Sequence, residues 1–235
     1  MNLHDYKIPN ADGPDESLSD YSGISSRGDA HVYFRNLEKE LIKRIDSADV
    51  VLGCIAWLTS EKIISALSKK QAISIIVQKE DFLRPDIDGR SQWKSYLARL
   101  YSKLKNGLIR YDEGLQGTAI HMMSYCADPT LESVRCVGNH NREKKPAFPR
   151  MHNKFLIFCK VPDDGHENGG FKPYEVWTGS FNFTKNATCS FENAVVLTDP
   201  KIVDAFFKEY GQIAALSEPL NWSSDWVEPE FRIGS

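Results

Sequence analysis

Two apolar runs that bracket one short helical pattern constrain this chain more than any other feature. DVVLGCIAW (Asp49 to Trp57) and AISIIVQ (Ala72 to Gln78) are each nearly continuous in apolar residues, many of them β-branched, as a strand covered on both faces requires. Between them Thr59 or Ser60 stands where a helix N-cap belongs, Glu61 falls in the first turn, and Ile63, Ile64 and Leu67 recur at helical spacing. Strand, helix and strand in that order read as a βαβ unit. The predicted fold class is therefore α/β, with a mixed, largely parallel central sheet flanked by helices.

Other segments supply elements that fit such a sheet. An amphipathic helix is predicted after Tyr33, where Phe34, Leu37, Leu41, Ile45 and Ala48 share one stripe. Another is expected from about Ser91 to Lys105, with Trp93, Tyr96, Leu97, Leu100 and Leu104 turned inward and Gly107 just beyond its end. Leu108 to Asp112 and the segment around Val134 are strand candidates, and the loop from Lys79 to Arg90 lies where a parallel sheet offers a ligand-facing edge. Pro200 opens a last helix carrying Ile202, Val203, Phe206, Phe207 and Tyr210. Residues 1–28, rich in Asp, Ser, Pro and Gly, are expected to form an irregular arm, leaving 29–235 as a single domain.

No apolar run approaches the roughly 20 residues that cross a bilayer, and the polar start MNLHDYKIPNADGPDES lacks the apolar segment of an export signal. The cysteines, Cys54, Cys126, Cys136, Cys159 and Cys189, are odd in number and scattered, which fits a reducing, cytoplasmic compartment better than a disulfide scaffold. With a net charge of -3 the chain has no global attraction for polyanions, so any positive surface has to be local. Arg142, Lys144, Lys145 and Arg150 provide one, opposed only by Glu143, and they directly precede His152. They are the candidate nucleic-acid-binding residues.

The chemistry concentrates between Met151 and Asn193. In MHNKFLIF, a strand with a continuous apolar run, His152 and Lys154 are two apart and point to one side. A neutral imidazole can attack phosphorus, and an adjacent ammonium can neutralise a phosphate oxygen. In GSFNFT, Ser180 and Asn182 are again two apart beside Gly179, and a hydroxyl and an amide so placed suit the non-bridging oxygens of a phosphoryl transition state. Glu192, in FENAVV, is suited to accept the imidazole N–H and so orient the ring.

The order His152-x-Lys154, Gly179-Ser180-x-Asn182, Glu192-Asn193 resembles the phospholipase D superfamily, most closely its small bacterial endonuclease-type members with one motif per chain. The likeness extends over roughly residues 31 to 215. It implies a metal-independent phosphodiesterase without cofactor, whose site forms across a two-fold homodimer. His152 would attack phosphorus to give a phosphohistidine while His152 of the second subunit protonates the leaving oxygen. Lys154, Ser180 and Asn182 would hold the phosphate and Glu192 would orient His152.

Two features depart from the family pattern. Cys159 stands where the family has aspartate, with Asp163 or Asp164 as candidate replacements, and the insertion KVPDDGHENGGFKPYE separates the strand from Gly179. Three activities are compatible with the residues: a nuclease acting on DNA or RNA, a lipid phosphodiesterase, and a non-catalytic nucleic-acid-binding module in a larger assembly. A lipid enzyme would be expected to carry an amphipathic anchor. His121, Cys126, Cys136 and His140 lie close in sequence, but their spacings match no compact zinc pattern. Cys159, seven residues along the strand from His152, is too distant to act with it as a Cys–His pair.

Overall fold

In the computed structural model of the chain, the described residues are 7–8, 13–14, 16–17, 20–24, 27–79, 91–105, 109–111, 121–123, 132–138, 150–162, 171–215 and 217–220. Their elements, in chain order, are β1 (Lys7–Ile8), β2 (Glu16–Ser17), β3 (Gly23–Ile24), β4 (Ala30–Tyr33), α1 (Leu37–Ser47), β5 (Val50–Ile55), α2 (Glu61–Leu67), β6 (Ala72–Gln78) and α3 (Ser91–Tyr101). There follow β7 (Ile109–Tyr111), β8 (His121–Met123), β9 (Val134–Val137), β10 (Lys154–Lys160), β11 (Lys172–Gly179), β12 (Ala194–Leu197), α4 (Pro200–Ala215) and β13 (Glu218–Pro219). Among these, nine strands form one sheet in the order β13-β9-β6-β5-β10-β11-β12-β4-β3. The strand that follows His152 is thus the central one.

The α/β architecture with a mixed sheet is the one the apolar runs imply. Parallel pairing is concentrated in β5-β6-β9, the βαβ unit and the strand beside it, and every other ladder of the sheet is antiparallel. Both strands of the βαβ unit are buried along their whole length, and Ser60 caps α2 by accepting the Ile63 N–H at 3.4 Å. The candidate strand around Leu108 does form, but β7 pairs with β8 in a separate two-stranded sheet. Within the stretch read as an arm, β3 pairs with β4 at the edge of the main sheet. The loop at 80–90 lies outside the described residues.

Alternation along the strands divides the interior into two layers. Val51, Ile55, Ile73, Ile75, Val77, Leu156 and Phe158 face a layer closed by α1, α2 and α3. Val50, Leu52, Cys54, Ile76, Phe155 and Ile157 face one closed by α4. A strand whose side chains alternate between two covered faces must be apolar at every position, which is why FLIFC carries no polar interruption. Two apolar residues of these helices are more exposed than the periodicity implies: Trp93 is 40% and Ile202 39% exposed.

Candidate active site

His152 and Asn153 form the extended lead into β10, and Lys154 is its first residue. The backbone here is held by a neighbouring strand end, since Ala56 N–H donates to the Asn153 carbonyl at 3.0 Å. The Lys154 side chain is 9% exposed, and its ammonium donates to the His152 carbonyl at 2.9 Å and lies 3.2 Å from His152 Nδ1. The Trp57 indole and the imidazole meet nearly at right angles, with ring centroids 6.4 Å apart and an interplanar angle of 82°. Trp57 escaped the sequence reading because an aromatic residue at the end of an apolar strand looks like any other core residue.

Burial, then the charges of Lys154 and Arg150, hold the His152 pKa below its ordinary value. That shift favours the neutral form of the ring. Burial is also the largest cause lowering the Lys154 pKa, opposed by Glu192 and reinforced by Arg150. An ammonium can only donate, so with Lys154 protonated Nδ1 accepts and the neutral ring carries its proton on Nε2.

The second group of residues lies across the next ladder. Phe155 pairs with Thr178 on β11, and Gly179 pairs with Ala194 on β12, so the ends of β10, β11 and the start of β12 bring His152, Lys154, Ser180 and Glu192 to one edge of the sheet. Gly179 has φ +156°, and a Cβ there would run into the Asn193 carbonyl; the close approach of the two backbones requires glycine. Ser180 N–H donates to the Asn193 carbonyl at 3.1 Å, and Asn193 N–H donates to Ser180 Oγ at 3.0 Å. Phe181 and Phe183 are buried in the core between Ser180 and Asn182 and beyond. The Phe183 carbonyl accepts from Thr59 and Ser60 N–H, both at 2.8 Å, which anchors this loop to the β5–α2 connection. Asn182 Oδ1 is buried without a hydrogen-bond partner.

One expected contact is replaced by another. Glu192 accepts a hydrogen bond from Ser180 Oγ instead of from the imidazole, whose Nδ1 is next to the Lys154 ammonium. The β11–β12 register, which pairs Gly179 with Ala194 and sets Ser180 against Asn193, brings the Ser180 hydroxyl to the Glu192 carboxylate, while the His152 ring is reached by the lysine two residues on. Glu192 still acts on the site through its charge, as a cause that raises the Lys154 pKa.

Of the candidate nucleic-acid-binding residues, Arg150 is exposed and acts electrostatically on both His152 and Lys154. Arg142, Lys144 and Lys145 lie outside the described residues, as do Asp163 and Asp164. Cys159 is at the far end of β10, fully buried in the layer under α4, and burial pushes its thiol pKa up. The carboxylate at that strand end belongs to Asp49, which accepts Val161 N–H at 3.1 Å and lies 3.5 Å from Lys160 Nζ. An acidic residue just before an apolar strand was the available signal for it. Cys136 is buried on β9, and its thiol lies 3.6 Å from the Glu218 carbonyl; Cys126 and His140 lie outside the described residues. Among the described residues no cluster of His, Cys, Asp and Glu could hold a metal ion, and no helix is long and apolar enough to cross a membrane.

A central strand that begins at a buried lysine, two residues after a histidine, and is flanked by a Gly-Ser-x-Asn segment, defines a phospholipase D-like phosphodiesterase fold. Residues 41–214 match the family described as "Cardiolipin synthase, PLD-like domain", and the chain belongs to this phospholipase D-like family. It is 34% identical over 221 residues to the uncharacterized protein L381 of Acanthamoeba polyphaga mimivirus, a match that covers 88% of this chain and 72% of that protein. It is also similar to two solved structures. The phospholipase D family member Nuc from Salmonella typhimurium is 19% identical, with a TM-score of 0.45 over 80% of this chain and 95% of Nuc. NucT from Helicobacter pylori is 16% identical, with a TM-score of 0.48 over 80% of this chain and 96% of NucT.

Proposed function

We propose that the protein is a metal-independent phosphodiesterase that cleaves nucleic acid through a phosphohistidine, at a site completed by a second copy of the chain. The observation that carries this reading is the imidazole of His152 held 3.2 Å from the amino group of the largely buried Lys154. A nucleophile and the cation that balances a phosphate are thereby set side by side. Phosphate oxygens are stronger acceptors for an ammonium than an imidazole nitrogen is, so an arriving phosphodiester draws Lys154 Nζ away from Nδ1. That frees Nδ1 to carry the ring proton and leaves Nε2 as the nucleophile.

In the first step Nε2 forms a bond to phosphorus, the bond from phosphorus to the leaving oxygen breaks, and that oxygen takes a proton from His152 of the second copy, which enters the step as the imidazolium and leaves it as the neutral ring. In the second step water attacks phosphorus, gives its proton to the second imidazole, and the N–P bond breaks. Ser180 Oγ, on exchanging its hydrogen bond to Glu192 for one to the substrate, and the Asn182 amide are the donors for non-bridging oxygens. Asn182 Oδ1 has no partner, so its amide is not locked by the protein and is free to turn Nδ2 toward a ligand. Arg150, exposed beside the site, supports a polyanionic substrate.

The test is cleavage of single- and double-stranded DNA and of RNA in excess EDTA by the full-length protein. Activity is expected to survive EDTA and to vanish in His152→Ala and Lys154→Ala. Undiminished cleavage by folded His152→Ala protein refutes the mechanism. A strictly monomeric mass under assay conditions refutes the shared site, and salt-dependent DNA binding without any cleavage leaves a binding module in place of an enzyme.

A further inference from the structure

We infer that Gln78, outside the His-x-Lys and Gly-Ser-x-Asn segments, is a positioning residue for His152, and that Gly138 is the space that lets it act. The inference rests on the reading of His152 as the nucleophile. Gln78 is the last residue of β6, and its side chain is completely buried. A buried amide has to satisfy both its ends, and the two it satisfies here are informative. Nε2 donates to the Lys79 carbonyl at 2.9 Å, which fixes the orientation of the amide plane. Oε1 then accepts Met151 N–H at 2.7 Å, one residue before His152.

His152 is thereby held on both sides. Asn153 is tied through its carbonyl to Ala56 N–H at 3.0 Å, and the Ala56 carbonyl in turn accepts Gln78 N–H at 3.3 Å. The ends of β5 and β6 therefore grip the residues before and after the histidine, one through backbone and the other through the Gln78 side chain. The Met151 anchor depends on a side chain, whereas the Asn153 anchor continues the backbone ladder that any sequence would form. Gly138, just past β9, has φ +99°, and a Cβ at that position would collide with Gln78 Oε1 and come within 3.1 Å of Met151 N. Glycine there is needed both for the backbone conformation and to keep the Gln78–Met151 hydrogen bond open.

A positioning role differs from simple packing in what it controls. Loss of the Met151 anchor leaves the core volume unchanged if the replacement is methionine, yet lets the residue before His152 shift. A displacement on the order of 1 Å in a nucleophile costs up to about a hundredfold in rate, with binding of the phosphate little affected because the backbones of Lys154 and Ser180 are fixed by their own strand pairings.

The experiment compares wild type, Gln78→Met and Gly138→Ala, each in the full chain, with bis(p-nitrophenyl) phosphate as substrate and histidine side-chain NMR as an independent readout. His152→Ala identifies the His152 signal. The expected result for Gln78→Met is a fall in kcat of about tenfold or more with KM within about twofold, together with a shifted His152 signal. Gly138→Ala, which disturbs the same bond with Gln78 intact, is expected to move the same signal. A folded Gln78→Met protein with wild-type kcat, or with an unmoved His152 signal whatever its rate, overturns the inference. If wild type hydrolyses no phosphodiester, the functional reading falls, while the His152 signal still decides whether Gln78 positions the ring. If Gln78→Met does not fold, Gly138→Ala decides by the same signal.

Discussion

Aspartate at position 159, the residue that the resemblance to the phospholipase D superfamily leads one to expect there, should harm this protein. Cys159 is fully buried in the apolar layer under α4, next to Val50 across the β5 ladder, and its thiol is held neutral by that burial. Cys159→Asp is close to isosteric, so the change is one of desolvation and not of cavity volume. Burying even a neutral carboxyl without partners costs about 1–3 kcal/mol. The charged form costs more, because each pH unit above the unfolded aspartate value of about 3.9, up to the raised folded value, adds about 1.4 kcal/mol. Three such units to pH 7 give a ceiling of about 4 kcal/mol, for a total of about 5–7 kcal/mol, which rivals the whole stability of a typical domain. The nearby Asp49 carboxylate at the same strand end adds repulsion. The sign follows from a folded pKa raised above the unfolded one: the folded state binds the extra proton, so stability falls as pH rises through that window.

Urea unfolding followed by tryptophan fluorescence, at pH 5 and pH 7, reads this directly. Cys159→Asp is expected to lose up to about 2.7 kcal/mol more at pH 7 than at pH 5, while Cys159→Ala loses a small amount that does not vary with pH. A Cys159→Asp protein as stable as wild type at both pH values, or a more active one, would mean that the carboxylate finds polar partners and that the buried apolar account of position 159 is wrong.

Two further perturbations test the site and the core. Because burial, Lys154 and Arg150 all depress the His152 pKa, the acid limb of activity and the His152 NMR titration should lie below the ordinary value of 6.5, and this group should make folding less favourable as pH falls below that value. Lys154→Met should move the titration upward, and Arg150→Ala should move it upward by less; a downward move in either contradicts the assigned causes. Gly53 lies in β5 against the central strand, where a Cβ would overlap the Phe155 carbonyl and press on Leu156. Gly53→Ala should therefore cost about 3 kcal/mol in urea unfolding, and an unchanged midpoint would show that the β5–β10 spacing is looser than described.

Much of the fold is legible in the chain because its signals are local. The helical stripe Leu37, Leu41, Ile45 and the run Ala72 to Gln78 each carry their own period, and both elements form where that period lies. The residue order His152, Lys154, Ser180, Asn182, Glu192 likewise marks, before any contact is known, the side chains proposed above to act on a phosphodiester. What sequence could not reach was pairing between distant strands. That β10 is the central strand, that β7 leaves the main sheet for β8, and that β4 precedes α1 all depend on ladders between segments far apart in the chain.

The site divides in the same way. By itself the sequence determined which groups are available: an imidazole, an ammonium, a hydroxyl, an amide and a carboxylate in family order. Only the tertiary structure decided their partners, placing Glu192 with Ser180, the Lys154 ammonium beside Nδ1, and Gln78 behind Met151. The physical reason is that side-chain chemistry is a property of one residue, whereas hydrogen-bond partners and burial are properties of the space that the whole sheet encloses.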